Sequence, residues 1–66
     1  MQIAVNGDAV VVGDGLTLLG LLQRLSLPVD GVAIAVNRAV IPKTEHAHHK
    51  LVSQDQVEII RAVGGG

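Results

Sequence analysis

Alternating apolar and polar positions at the start of the chain predict a β-hairpin. Ile3 and Val5 alternate with other residues, and the apolar residues 10–12 form a return strand. Between them, Asn6-Gly7 is a dipeptide that readily adopts the two positive φ angles of a type I′ turn. The first segment is therefore expected to be two antiparallel strands joined by a two-residue turn.

Leucines at helical spacing predict one amphipathic helix after the hairpin. Gly13-Asp14-Gly15 ends the second strand, and Thr17 is a plausible N-cap residue. The apolar stripe that follows has the spacing i, i+3, i+4, i+7 and consists of Leu18, Leu21, Leu22 and Leu25. Gly20 lies inside this helix, which indicates either close packing there or a weak helix. Pro28 ends the pattern.

Strand-like segments follow the helix. Residues 32–36 form an apolar run with β-branched residues at every second position, typical of a central strand covered on both sides. Asn37-Arg38 is the next predicted turn, and the short return strand at residues 39–41 is closed by Pro42. Together these segments predict a second hairpin.

The last strand is predicted at residues 57–63, after a turn at Ser53-Gln54-Asp55. Val57 and Ile59 share one face of this strand, and the other face carries Glu58, Ile60 and Ala62. The order strand, strand, helix, strand, short strand, strand is that of an α+β, β-grasp fold, a mixed sheet with one main helix packed across it. The first and last strands are expected to run parallel at its centre.

Length and composition agree with one small domain. The chain has 66 residues and no cysteine, and although hydrophobic residues make up 48% it lacks Phe, Tyr and Trp. A domain of this size buries only about 60% of the surface its unfolded chain exposes. Valine, isoleucine, leucine and alanine must therefore supply its core.

Charge and motifs exclude several functional classes. The net charge of −1 and the absence of aromatic residues argue against nucleic-acid binding. No apolar run approaches the ~18 residues that span a bilayer, and no nucleophile–base pair or phosphate-binding loop indicates an enzyme. We expect a monomer in the cytoplasm that acts in transient complexes.

The sequence IIRAVGGG at the end of the chain is the strongest functional feature. We expect residues 1–63 to form the domain and residues 64–66 a flexible tail, since glycine has no side chain to pack. One interpretation is a frayed terminus. The other is that Gly64 and Gly65 let the chain thread a narrow channel in a partner enzyme, which presents the Gly66 carboxylate for reaction.

That carboxylate would need activation before it could react. It is ionised at neutral pH and resists nucleophiles. ATP can convert it into an acyl-adenylate, and a persulfide can then displace AMP to leave a thiocarboxylate. Because the chain has no cysteine, sulfur could be carried only at its end.

Several segments together resemble the ThiS sulfur-carrier family of thiamine biosynthesis, which is ubiquitin-like. They are MQIAVNG, DGLTLLGLLQRL, GVAIAVNRAVIPKTE and DQVEIIRAVGGG, in the same order and over most of the chain. The resemblance implies that an E1-like enzyme adenylates Gly66, that a persulfide donor supplies sulfur, and that a thiazole synthase receives it. It implies no bound cofactor, because the partner enzyme uses the ATP.

Three positions depart from the family pattern. Asn37-Arg38 stands where the family often has Asn-Gly, and Ser53-Gln54-Asp55 where it often has Asp-Gly-Asp. His46 follows Glu45 at a position where Trp is common. All three are expected in turns and on the surface.

Two other groups of residues are candidates for function. His46 and His49 would share one face of a helical turn and could hold a metal, but a solvated surface turn containing His48 as well is the favoured interpretation, so no metal site is predicted. Near the tail, the expected partner-binding residues are Ile60, Arg61, Ala62 and Val63. Arg61 would either pair with an acidic rim or remain a solvated charge.

Other functions stay open, and most of them share the same terminal chemistry. The small subunit of molybdopterin synthase is the nearest alternative, although GVAIAVNRAVIP looks less like such subunits. Transfer of sulfur to tRNA, conjugation to lysines, and a ubiquitin-like adaptor whose tail has no chemistry also stay open.

Overall fold

The computed structural model describes residues 1–61, which form a five-stranded mixed sheet and one α-helix. Its elements are β1 (Gln2–Val5), β2 (Asp8–Val11), α1 (Leu18–Arg24), β3 (Val32–Val36), β4 (Ala39–Ile41), a 3₁₀ turn (Lys43–Glu45) and β5 (Gln56–Arg61). The strand order is β2-β1-β5-β3-β4. Only β1 and β5 pair in parallel among these neighbours, and the other pairs are antiparallel. The predicted element order and central parallel pair are confirmed.

Both hairpins turn through two residues with positive φ. Asn6 and Gly7 have φ angles of 50° and 88°, and Asn37 and Arg38 have 51° and 72°. Such angles match the type I′ turn, whose twist suits the flanking strands. Arg38 therefore occupies a conformation that glycine adopts more easily.

Helix α1 begins as predicted and ends earlier. The Thr17 hydroxyl oxygen accepts a hydrogen bond from the Gly20 amide at 3.1 Å, which confirms the N-cap. The helix ends at Arg24, four residues before Pro28, because Ser26 takes a left-handed conformation with φ 57°. The Ser26 and Leu27 amides then donate to carbonyl groups of the last turn.

Gly20 lies where α1 packs closely against the preceding loop. A Cβ atom at this position would lie 2.7 Å from Cδ1 of Leu16. Of the two predicted explanations for Gly20, close packing is therefore the one the structure supports, and a larger residue would displace the Leu16 side chain.

The core is aliphatic and lies between α1 and one face of the sheet. Its buried residues are Ile3, Val5, Val12, Leu18, Leu21, Leu22, Ile34, Val36, Leu51, Val57 and Ile59. The prediction that β3 is covered on both sides is wrong, because Ala33 is exposed and Ala35 only half-buried. Alternation of branched residues with alanine in β3 instead follows the buried and open faces of the sheet.

The segment between β4 and β5 forms backbone hydrogen bonds with the start of α1. The Leu18 amide donates to the His49 carbonyl oxygen at 3.1 Å, and the Leu19 amide donates to the His46 carbonyl oxygen at 3.0 Å. These amides belong to the first turn of the helix, which has no partners for them within the helix itself. The histidine-rich segment therefore satisfies the helix N-terminus together with Thr17.

No helix within residues 1–61 has both the length and the apolar character needed to cross a membrane.

Candidate functional site

The predicted partner-binding residues that the structure describes lie at the end of β5. Ile60 and Arg61 are both exposed, and Ile60 has 64% of its surface accessible. The other predicted site residues lie outside the described residues: Ala62, Val63, Gly64, Gly65 and Gly66. Their roles, and the boundary between domain and tail, stay predictions.

Ile60 belongs to an exposed, largely apolar surface on the side of the sheet away from α1. The strand register places Ile60 beside Ala33, Glu58 beside Ala35, and Ala35 beside Val40. We call the surface of these five residues the outer face. Val40 in β4 and Ile60 in β5 are 75% and 64% exposed, whereas Val57 and Ile59, which alternate with Glu58 and Ile60 along β5, are buried. Contiguous exposed apolar residues of this kind are typical of a protein-docking surface.

Strand β5 is held firmly between its neighbours at the level of its buried residues. On the β1 side, the Ala4 amide donates to the Asp55 carbonyl oxygen and the Asn6 amide to the Val57 carbonyl oxygen, both at 2.9 Å. On the other side, β5 pairs with β3 over the range from Val57 to Arg61. The central position of β5 therefore fixes the exposed Ile60 relative to the rest of the domain.

Asparagine side chains hold β5 near both of its ends. Near the tail, Asn6 Oδ1 accepts from the Ile59 amide at 2.9 Å, and Asn6 Nδ2 donates to the Ile59 carbonyl oxygen at 3.2 Å. At the start, Asn37 Oδ1 accepts from the Gln56 amide and Asn37 Nδ2 donates to Asp55 Oδ1, both at 3.0 Å. Each side chain reaches β5 from the first residue of a hairpin turn.

Asp55 is a buried acidic residue that connects this arrangement to the preceding turn. It is 6% exposed, and its Oδ2 atom accepts a hydrogen bond from the Val52 amide at 2.9 Å. Its other carboxylate oxygen accepts a hydrogen bond from the side-chain amide group of Asn37. Both carboxylate oxygens therefore have partners, as burial of a carboxylate requires.

The histidine-rich segment differs from its predicted form. The expectation that His46 lies in a solvated surface turn is wrong, because this residue is 3% exposed. Its Nε2 atom lies 2.9 Å from the Ile41 carbonyl oxygen. His48 is exposed and His49 half-buried. Packing of this segment against the start of α1 draws His46 into the interior.

The described residues give no support for a metal site. Within residues 1–61, no group of three or more His, Asp or Glu side chains is arranged to hold a metal ion. The Nε2 atom of His46 is already engaged with a carbonyl group. The less favoured possibility, His46 and His49 as metal ligands, therefore has no third ligand among residues 1–61.

One ion pair perturbs a titratable group. Lys43 at the 3₁₀ turn bonds to Asp30 in the loop before β3, and both side chains are exposed. The hydrogen bond from Lys43, and then its positive charge, lower the pKa of the Asp30 carboxyl group. This contact joins two loops and lies in the domain body.

Two asparagine side chains make contacts with β5 that the sequence pattern does not reveal. The sequence pattern indicates Asn6 and Asn37 only as turn residues, although each also bonds to β5. The available signal was that both predicted two-residue turns begin with asparagine, whose side chain readily bonds to backbone groups. The identity of the bonded strand could not be obtained from that signal.

Comparisons with known proteins agree over the full chain. The model of the ThiS family matches residues 1–66. The chain is 32% identical over 66 residues to the sulfur carrier protein ThiS of Escherichia coli (strain K12), with all of both chains covered. The crystal structure of the thiamine biosynthesis protein ThiS from Geobacter metallireducens is similar, with a TM-score of 0.87, 26% identity and full coverage of both chains.

A further relative is much longer. The chain is 35% identical over 66 residues to a thiazole synthase of Magnetococcus marinus, but spans only 20% of that protein's length. A segment similar to this chain therefore occurs within a protein named for thiazole synthesis.

Proposed function

The chain belongs to the ThiS family over its whole length, and from that premise we propose that it carries sulfur on its last residue. In this proposal the Gly66 carboxylate is adenylated, becomes a thiocarboxylate, and supplies sulfur to the thiazole ring of thiamine. The main support for this proposal is the similarity, from residue 1 to residue 66, to a relative named as a sulfur carrier. The chain acts as a co-substrate of other enzymes.

The proposed chemistry proceeds through an anhydride. A Gly66 carboxylate oxygen attacks the α-phosphorus of ATP in the partner enzyme, and pyrophosphate leaves. The terminal sulfur of a persulfide then attacks the Gly66 carbonyl carbon, and AMP leaves with the electron pair of the broken C–O bond. A thiolate finally attacks the enzyme's own sulfur in this acyl disulfide and forms a new disulfide with it, so that the sulfur on the Gly66 carbonyl carbon leaves as the thiocarboxylate.

The domain body supports this proposal by offering a docking surface near the reactive end. Ile60 on the outer face is 64% exposed, and Gly66 follows it by six positions in sequence. Six extended residues reach at most about 20 Å. An E1-like enzyme that covers the outer face could therefore reach Gly66 within the same complex.

A thiazole synthase is the proposed recipient of the sulfur. This partner is favoured because a segment similar to the chain lies within a relative named as a thiazole synthase. ATP belongs to the activating enzyme in this proposal, and the domain itself binds no cofactor. The cytoplasmic location stays a prediction.

Mass measurement tests the proposed chemistry. The protein is incubated with ATP, an E1-like enzyme and a persulfide donor, and its intact mass is compared with that of a variant that lacks residues 64–66 and so has no terminal glycine. We expect the full chain alone to gain the mass difference between sulfur and oxygen. Because the chain has no cysteine, a thiol-directed alkylating reagent should label only the thiocarboxylate form. Loss of labelling when ATP is omitted is the matched control.

The recipient is tested separately. The thiocarboxylate form is immobilised and offered a purified thiazole synthase and, in a parallel arm, a large subunit of molybdopterin synthase. Retention and sulfur consumption by the thiazole synthase alone are expected. Consumption by the molybdopterin synthase subunit would reassign the pathway, and a chain that binds partners but is never modified would be an adaptor.

A further inference from the structure

The side chain of Asn6 extends the pairing of β5 beyond the end of β1. Strand β1 ends at Val5, and the backbone amide of Asn6 still donates to the Val57 carbonyl oxygen at 2.9 Å. The next hydrogen bonds along β5 are made by the Asn6 side chain, which bonds to both the amide and the carbonyl group of Ile59, at 2.9 and 3.2 Å. One amide group thus takes the place of a strand residue.

Ile59 is the last described residue of β5 that these contacts hold from both sides. The chain turns away from β5 at Asn6 and Gly7, whose φ angles are 50° and 88°. Beyond Ile59, the register pairs Ile60 and Arg61 with β3. Within residues 1–61, the two Asn6 hydrogen bonds are therefore the final attachment of β5 on the β1 side.

We propose that Asn6 is a positioning residue for the terminal chemistry, an inference that rests on the proposed sulfur-carrier function. By fixing Ile59, it holds the end of β5 in the orientation in which an activating enzyme meets both the outer face and the terminal carboxylate. Without it, the enzyme must order this strand end during binding. The apparent affinity then falls by the fraction of molecules that have the competent arrangement.

Glycine is the informative substitution at this position. Asn6→Gly removes both side-chain hydrogen bonds, and glycine accepts a positive φ without strain. The hairpin turn is therefore kept while the attachment to Ile59 is lost. A larger apolar residue would disturb the turn as well and would confuse the two effects.

The chain contains a matched control in its second hairpin. Asn37 also begins a two-residue turn, with φ 51°, and its side chain also makes two hydrogen bonds, one to the Gln56 amide and one to Asp55. Asn37→Gly thus removes a comparable attachment at the start of β5. The two variants differ mainly in which end of the strand they release.

Amide hydrogen exchange provides a readout that needs no enzyme. In Asn6→Gly, exchange of the Ile59 amide should accelerate about tenfold, the effect of losing one hydrogen bond of typical strength. In Asn37→Gly, the corresponding acceleration should appear at Gln56 and leave Ile59 unchanged. Equal exchange at Ile59 in wild type and Asn6→Gly would overturn the inference.

Activation kinetics provide the second readout. With an E1-like enzyme and ATP, Asn6→Gly should raise the KM for the carrier about three- to tenfold and leave kcat within about twofold, because at saturating carrier the enzyme is filled with chains in the competent arrangement. Asn37→Gly should leave both parameters within about twofold. Equal effects of the two substitutions, or an unchanged KM in Asn6→Gly, would contradict a positioning role.

The outcomes separate this inference from the proposed function. A wild-type chain that is never activated contradicts the sulfur-carrier function and this inference with it, whereas normal activation with an unaffected Asn6→Gly contradicts the inference alone. If Asn6→Gly is too unstable to measure, Asn6→Asp keeps the acceptor for the Ile59 amide and loses the donor. Asn6→Asp should then raise the KM for the carrier by less than the three- to tenfold expected of Asn6→Gly, and an unchanged KM would again count against the inference.

Discussion

The imidazole Nε2 atom of His46 lies 2.9 Å from the carbonyl oxygen of Ile41, at a position where only 3% of the residue is exposed. A carbonyl oxygen only accepts, so Nε2 is the donor in this contact. Nδ1 is buried and has no hydrogen-bond partner among the described residues. His46 therefore acts as a core residue with one polar contact.

Removing the His46 side chain should destabilise the fold. His46→Ala leaves a cavity and deprives the Ile41 carbonyl group of its donor, so the free energy of unfolding should fall by about 2–4 kcal/mol. The exposed His48 provides the matched control, and His48→Ala should change that free energy by less than about 0.5 kcal/mol. Urea denaturation measures both. Equal stabilities of the two variants would refute the structural role of His46.

The pair of Asp30 and Lys43 should make stability depend weakly on pH. Lys43 lowers the pKa of Asp30 below its ordinary value of 3.8, so the pair stabilises the fold above that value and the contribution fades as the pH falls through the lowered pKa. Asp30→Asn should therefore flatten the decline in unfolding free energy as the pH falls below the ordinary Asp30 pKa of 3.8. The effect should be small, because both side chains are exposed and screened.

Lys43→Met tests the same pair from the other side. It should flatten the acid decline as Asp30→Asn does, and the double variant should show no further change. Denaturation at a series of pH values measures this. A double variant whose acid dependence differs from both single variants would show that these residues act independently.

The strained turn at Arg38 predicts a stabilising substitution. Arg38 has a φ of 72° and is exposed, so Arg38→Gly should relieve strain and raise the free energy of unfolding by about 0.5–1 kcal/mol. Ala39→Gly, one residue later in β4, should lower it by about 0.5–1 kcal/mol, because glycine weakens a strand. Thermal denaturation compares the two. A loss of stability in both variants would contradict the strain argument.

Docking through the outer face predicts a functional effect without a loss of stability. Ile60→Ser should change the free energy of unfolding by less than about 0.5 kcal/mol. It should raise KM for activation about tenfold, the loss expected for an apolar contact worth 1.4 kcal/mol. Val52 is similarly exposed, 61% against 64%, and lies in the turn before β5. Val52→Ser should leave KM unchanged, and equal KM values for both variants would exclude Ile60 from the docking contact.

Local patterns were sufficient to predict most of the fold. Asn6-Gly7 predicted the first turn, Thr17 predicted the helix N-cap, and the alternation of Val57 and Ile59 predicted the buried face of β5. Each of these features depends on residues that are close in sequence. The last strand was predicted to continue to Val63, and the structure describes it to Arg61. Its remainder and the separate tail at residues 64–66 stay predictions.

Features that depend on distant contacts were not predictable in the same way. His46 is buried because its segment packs on the start of α1, and nothing in a histidine-rich stretch specifies that contact. The apolar run in β3 indicated a strand but could not show that Ala33 faces outwards. Asn6 and Ile59 are separated by 53 positions in sequence, so a turn signal at Asn6 cannot identify its partner strand.

Locating sulfur on the last residue tests the central claim most directly. Trypsin cleavage after Arg61 releases residues 62–66, AVGGG, which contain no other sulfur atom. After incubation with ATP, an activating enzyme and a persulfide donor, the fragment spectrum of this peptide should place the exchange of oxygen for sulfur at the terminal carboxyl group of Gly66. An unmodified AVGGG peptide, obtained under conditions in which the enzyme activates a known sulfur carrier, would contradict the account.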